Sequence, residues 1–435
     1  MRFFNTTLVP TLLLLAAHPL PADEVTKWNE LANQLALQSD LANRNPHFHG
    51  RMLGMAHAAV HDALNSIDRR YRCYSGCSPV TGDASAAAAA ATAAFTVLRD
   101  QLSQMTAFGF PPQQTELSAA YAMSLAAIPA GPPKTLGIQV GQTAASQILS
   151  LRAADGIYLL PAIDMNYPQG TRPGEYRYTA PFNFASATKY GSVPPFVLES
   201  SRQFRPNAPY PINSRRYTED YNEIKALGGD GVGTPSARTP DQTQIALFWL
   251  ESSVTGWNRI ARTASAEERL NLWQNARLFA LLNLALTDGY IGSWEAKYDH
   301  NFWRPVTAIQ QGNADGNDDT AGDPNWNPLA VTPPVPDHDS GHSVAGGVGA
   351  EVLELFFDRR HFRFRVCSTT LPAGSRCDDP AAVFRNYAGF EQAALENGLS
   401  RIYVGYHFRR AVTEGIEHGR RIGHRAFQKF LRPAH

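Results

Sequence analysis

Apolar positions recur at helical spacing along most of the chain, and strand-like alternation is rare. "KWNELANQLALQSDLANR" (27–44) is amphipathic and predicts one helix, and "GRMLGMAHAAVHDALNSI" (50–67) predicts another. "DASAAAAAATAAFTVLRDQL" (83–102) predicts an alanine-rich helix that can pack closely but is too thin to form a core alone. In "LGIQVGQTAASQILSLRAADG" (136–156), Gly137, Gly141 and Ala145 stand four apart and make a stripe for tight helix contact. Helical patterns return over 214–228 and 239–263. Residues 265–298 are almost wholly apolar after Asn275, which predicts a helix buried on most sides. The pattern is that of an all-α bundle.

Two stretches break the pattern. Residues 156–213 are rich in Pro, Tyr, Gly and Asn and read as a long ordered loop anchored by its aromatics. Residues 310–339 form a second loop, whose Asp315, Asp318, Asp319 and Asp323 do not follow the EF-hand spacing. No internal repeat is evident.

Composition narrows the class. Hydrophobic content of 43% and charged content of 18% over 435 residues suit a globular protein. The balance of 39 basic and 39 acidic residues disfavours nucleic acid as a partner. Residues 1–22, "MRFFNTTLVPTLLLLAAHPLPA", read as a signal peptide, with Arg2 ahead of a short apolar run and cleavage after Ala22. No later stretch is long enough for a transmembrane segment. The expected location is exported, periplasmic or secreted. Four cysteines fit that compartment, and local disulfides Cys73–Cys77 and Cys367–Cys377 are the simplest pairing.

The chemistry concentrates in the last third. In "KYDHNFWRPVTAI" (297–309), Lys297 and Arg304 stand seven apart among aromatics, which on one helix would place both cations on one face. Such a pair repels unless it reaches solvent or an anion lies between. "HDSGHSVAGGVGAEVLELFF" (338–357) puts Ser340 at a helix start as an N-cap, with Gly341 and His342 behind it. Free N–H groups there bind anions, and His342 can act as acid or base. In "NGLSRIYVGYHFRRAVTEGIEHG" (397–419), Arg401 and His407 are six apart, which predicts a loop-to-helix transition between them. Three cations, a serine, a glycine N–H and two histidines suit a tetrahedral oxyanion. His57 and His61 are four apart on a helix, but position 58 is alanine, and core packing or capping is the better reading.

K-x6-R-P, S-G-H and S-R-x5-H, in this order at Lys297–Pro305, Ser340–His342 and Ser400–His407, resemble the signature of the superfamily joining vanadium-dependent haloperoxidases and type 2 phosphatidic acid phosphatases. Trp294 and the stretches "MAHAAVHDALNSI", "SRQFRP" and "FWLESSVTGWNRIA" resemble exported bacterial haloperoxidase-like proteins. The resemblance implies an all-α helical bundle with long ordered loops, and vanadate as cofactor. His407 would bond the vanadium, and Lys297, Arg304 and Arg401 would hold the oxygens with Ser340 and the Gly341 N–H. His342 would help deprotonate hydrogen peroxide, and halide would be oxidised to a hypohalous acid equivalent. The alternative is an exported acid phosphatase, in which His407 attacks the phosphorus of phosphate and His342 protonates the leaving alcohol. Glu251 would support Arg401 from behind. An organic acceptor and a homodimer are compatible with this reading.

Three positions depart from the resemblance. Ala411 stands where related enzymes often carry an aspartate supporting the histidine. Asp339 replaces the usual proline before S-G-H and brings a negative charge near the pocket. Val335 stands where an aromatic or histidine is often found near the halide. The expected organisation is a signal peptide (1–22), an N-terminal helical region (23–240) and a C-terminal catalytic region (241–435), the last two forming one compact unit.

Overall fold

A computed structural model describes residues 23–106, 109 and 113–434; the expected signal peptide lies outside them. Among the described residues are fourteen α-helices: α1 (Glu24–Gln38), α2 (Leu41–Arg44), α3 (Pro46–Ile67), α4 (Ala86–Met105), α5 (Gln114–Ala126), α6 (Pro132–Arg152), α7 (Arg215–Leu227), α8 (Pro240–Phe248), α9 (Ser253–Glu267), α10 (Leu272–His300), α11 (Pro305–Gln310), α12 (Gly341–Phe357), α13 (Phe390–Tyr403) and α14 (Arg409–Lys429). Two short antiparallel pairs complete it: β1 (Ile163–Asp164) with β2 (Ala185–Ser186), and β3 (Phe364–Cys367) with β4 (Phe384–Tyr387). The fold is all-α.

α10 is the axis. It packs against α3, α12 and α14, and it is buried almost continuously from Leu278 to Trp294. Each such leucine removed from water contributes roughly 1.5–3 kcal/mol. The helix starts on a capping box, where Asn271 accepts from Gln274 N and the Gln274 side chain accepts from Asn271 N. α12 lies on α14 at backbone contact: a Cβ on Gly419 would stand 2.0 Å from the Val344 carbonyl oxygen. The small-residue stripe of α6 does the same against α4, where a Cβ on Gly141 would stand 2.5 Å from Ala89 O.

Two helices expected to be continuous are broken. The helix predicted over 27–44 ends at Gln38, where Asp40 takes φ 60° and starts α2. The helix predicted over 239–263 is interrupted between Phe248 and Ser253, which turns the Trp249 and Glu251 carbonyls toward the site described below. Propensity gave no warning at either point, because the residues around both breaks are compatible with helix.

The loop over 156–213 is ordered and clamps α10 to α11. Tyr176 N donates to Asn301 O at 2.9 Å, Trp303 N donates to Gly174 O at 2.9 Å, and the Tyr167 hydroxyl donates to Asn301 Oδ1 at 2.9 Å. Both expected disulfides, Cys73–Cys77 and Cys367–Cys377, are formed. No helix of the described residues is long and apolar enough to cross a membrane.

Candidate active site

Lys297 and Arg304 do not share a helix. α10 ends at His300, Asn301 caps it with φ 48°, and Arg304 is the N-cap of α11. Asparagine tolerates that left-handed conformation, so the chain reverses there without glycine. The two cations meet across a turn.

Lys297, Arg304 and Arg401 are each 1% exposed. Lys297 Nζ donates to Pro336 O and Asp337 O at 3.1 Å, and also to Asp339 O. Arg304 Nε donates to Val335 O at 2.7 Å, and its Nη1 to Tyr406 O at 2.9 Å. Arg401, on the last turn of α13, donates from Nη2 to Trp249 O at 2.8 Å and from Nε to Ser400 Oγ at 3.0 Å. These partners are neutral oxygens. Among the described residues, no carboxylate lies within ion-pair distance of any of the three. Burial pulls the Lys297 ammonium down to about 7, with the Arg304 charge adding to it. Burial also pulls Arg401 down to about 10 and lowers Arg304. Three buried cations with no carboxylate in direct contact are costly, the more distant Asp337 and Asp339 offset only part of that cost, and a bound anion reduces it further.

Ser340 is the N-cap of α12, its Oγ accepting from Ser343 N. The N–H groups of Gly341 and His342 follow in the first turn, where no intrahelical acceptor exists. Trp294 lies beneath this turn. A Cβ on Gly341 would meet its ring at 3.4 Å, and Lys297 Nζ stands 5.8 Å from the ring centroid.

His407 lies between α13 and α14, 5% exposed. Its Nδ1 is 2.9 Å from Asp337 Oδ1, and its Nε2 is 3.0 Å from Arg304 Nη1. Burial, then the charges of Arg304 and Lys297, holds the ring well below the usual histidine range, so it is neutral. Burial pushes the Asp337 carboxyl up to about 7 against the pull of Arg304 and Lys297. His342 is half-buried. Burial and the Arg401 charge hold it well below its ordinary value, and its Nε2 is 3.2 Å from Glu251 O. A carbonyl only accepts, so Nε2 carries the proton and Nδ1 keeps the lone pair.

Glu251 does not hold Arg401. Its carboxylate is bidentate to Arg259, at 2.8 and 2.9 Å, and accepts from Thr369. The break between α8 and α9 puts Trp249 O nearer Arg401. Glu251 therefore touches the site through its backbone oxygen on His342. On its other side, Arg259 and Thr369 line a cleft of about 560 Å³ between α1, α9 and the Cys367–Cys377 loop.

Asp339 is fully buried, its carboxylate accepting from Ser293 Oγ at 2.6 Å and pairing with His418 Nδ1 at 2.7 Å. Burial opposes its ionisation. The His418 charge and hydrogen bond, with Lys297, outweigh burial and hold it at about 2. His57 Nε2 contacts Asn29 Nδ2, and His61 Nδ1 contacts Asp62, both inside the core. Asp337 and His418 were not singled out from the sequence. The available signal was the acid-rich "PDHDSGH", two aspartates in a stretch whose neighbours are buried.

Residues 277–435 match the family described as the VCPO second helical-bundle domain. The chain is 27% identical over 306 residues to the vanadium chloroperoxidase of Curvularia inaequalis, covering 58% of this chain and 49% of that relative. The chain thus spans about half the length of the curated relative it matches. Its fold is similar to that of a bacterial vanadium-dependent iodoperoxidase, with TM-score 0.77 and 21% identity over 95% of this chain and 97% of the other. It is also similar to an apo bacterial vanadium-dependent chloroperoxidase, with TM-score 0.70 and 16% identity over 89% of this chain and 94% of the other. The three motifs thus meet around one set of buried cations in a chain whose residues 277–435 are similar to the second helical-bundle domain of vanadium chloroperoxidases and whose fold is that of the vanadium haloperoxidases.

Proposed function

We propose that the protein is a vanadate-dependent haloperoxidase, oxidising halide with hydrogen peroxide. The observation that carries this is the trio Lys297, Arg304 and Arg401, buried together without a carboxylate partner among the described residues. The donor set fits vanadate: cations for its oxygens, the first-turn N–H groups and Ser340 for further hydrogen bonds, and an unprotonated imidazole nitrogen for vanadium. Bound vanadate would supply a Lewis-acidic centre at which peroxide becomes electrophilic toward halide.

The residues of the chain divide the remaining work. Lys297, Arg304 and Arg401 hold the oxyanion and withdraw charge from it. Ser340 and the start of α12 orient it. His407 presents Nε2 toward Arg304 and the site. His342, with its lone pair on Nδ1, takes a proton from incoming peroxide. The likeness to a vanadium chloroperoxidase and to bacterial vanadium-dependent haloperoxidases favours this reading over a phosphatase. Trp294 packs beneath the first turn of α12 and supports it.

Two variants test the assignment. His407→Ala abolishes peroxide-dependent bromination. His342→Ala retains vanadate binding and loses about 10²–10⁴-fold in rate. Hydrolysis of a phosphate monoester with a phosphohistidine at His407, and no bromination in the wild type, would assign the protein to the phosphatases instead.

A further inference from the structure

His407 has to offer Nε2, and a neutral imidazole can carry its proton on either nitrogen. Of its two polar neighbours, one decides which. Arg304 Nη1, 3.0 Å from Nε2 and 3.4 Å from Nδ1, can only donate. Those two distances place the guanidinium against the ring and off the line of either nitrogen, so it favours a neutral ring without choosing the tautomer. On the other side, Asp337 Oδ1 lies 2.9 Å from Nδ1 and can accept. Asp337 is 1% exposed, and its carboxylate also accepts from the Phe408 N–H, directly after His407. One carboxylate therefore grips both the ring and the backbone that carries it.

The support comes from an unexpected element. Ala411, one turn beyond His407 on α14, is fully buried and offers only a methyl group, while its carbonyl accepts from Ser340 N at 3.0 Å. Asp337 belongs to the loop ahead of α12. That loop is fixed by Asp337 N donating to Phe302 O at 2.9 Å, and by Lys297 on Asp337 O. The same residue thus ties the Lys297–Arg304 turn, the start of α12 and His407 together.

We propose that Asp337 is the positioning residue that fixes His407 in the Nδ1–H tautomer with Nε2 open, substituting from the loop before α12 for a carboxylate missing at position 411. The role given to Nε2 rests on the vanadate reading above; the tautomer itself does not. Asp337 touches no reacting atom and acts through the ring.

The test starts with nitrogen NMR of histidine-labelled, vanadate-free protein, with the His407 signals identified by their loss in His407→Ala. The wild type shows a protonated Nδ1 and an unprotonated Nε2, and the reverse would overturn the proposal whatever any variant does. Asp337→Ala shifts His407 toward Nε2–H. Asp337→Asn keeps one acceptor at the same reach and restores Nδ1–H; an Asn variant behaving like Ala would overturn the hydrogen-bond account. Calorimetry adds a second readout. Second-sphere partners of a ligating histidine typically contribute about 10–100-fold in metal affinity. Asp337→Ala therefore weakens vanadate binding by about that factor, while phosphate, held by the cations, does not weaken because a nearby negative charge has been removed. Equal loss of both anions would show general damage and contradict the proposal. Wild-type protein that binds no vanadate would count against the haloperoxidase reading and leave the spectrum to decide on Asp337.

Discussion

Lys297→Met removes a buried charge while keeping most of the side-chain length. In the folded chain the ammonium titrates near 7, against an ordinary 10.5. That difference corresponds to about 5 kcal/mol of cost for charging the group in its buried site. Below pH 7 lysine is charged in both folded and unfolded chains, and the native state bears the full cost. Between pH 7 and 10.5 the unfolded chain binds more protons, so stability rises with pH; above 10.5 the cost is gone. The wild type therefore gains about 3 kcal/mol relative to Lys297→Met between pH 6.5 and 9.5. Urea unfolding of both proteins across that range measures it. Saturating phosphate pairs with the ammonium, raises its pKa and flattens the wild-type curve. A difference between the two proteins that does not vary with pH, in the absence of any anion, would refute the reasoning. So would a wild-type curve that phosphate leaves unchanged.

Two further outcomes follow from the packing. Asp339→Ala strands His418 and Ser293 without their acceptor in the interior and costs about 3–5 kcal/mol of stability by chemical denaturation. Gly419→Ala places a methyl on the Val344 carbonyl, forces α12 and α14 apart and costs about 1–3 kcal/mol. Because α12 carries Ser340 and Gly341, its phosphate affinity falls too, which calorimetry reads directly.

The sequence carried the fold class because helical periodicity persists over nearly every long segment, and α10 in particular could be read as a buried axis from its composition. It also carried the cation trio and both histidines, since each stands in a short motif with fixed spacing. What it did not carry were relations set by backbone turns. Lys297 and Arg304 were expected on one helix face, yet Asn301 ends the helix between them. Glu251 was expected on Arg401, yet the break after Phe248 gives Arg401 a carbonyl and leaves Glu251 to Arg259. Asp337 reaches His407 across 70 residues of sequence, a pairing that only the folded loop creates. Asp339 was expected to place its charge near the pocket, and that charge does act on Lys297, but its carboxylate oxygens are taken by Ser293 and by His418, a residue 79 positions away, a pairing the sequence did not show.

The central claim is tested most directly by titrating metal-free protein with vanadate while bromide oxidation by hydrogen peroxide is followed. The account predicts that activity appears in proportion to vanadate up to one equivalent per chain and that excess phosphate suppresses it by competing for the site of Lys297, Arg304 and Arg401. Bromide oxidation that never appears with vanadate bound, or that phosphate does not suppress, would contradict it.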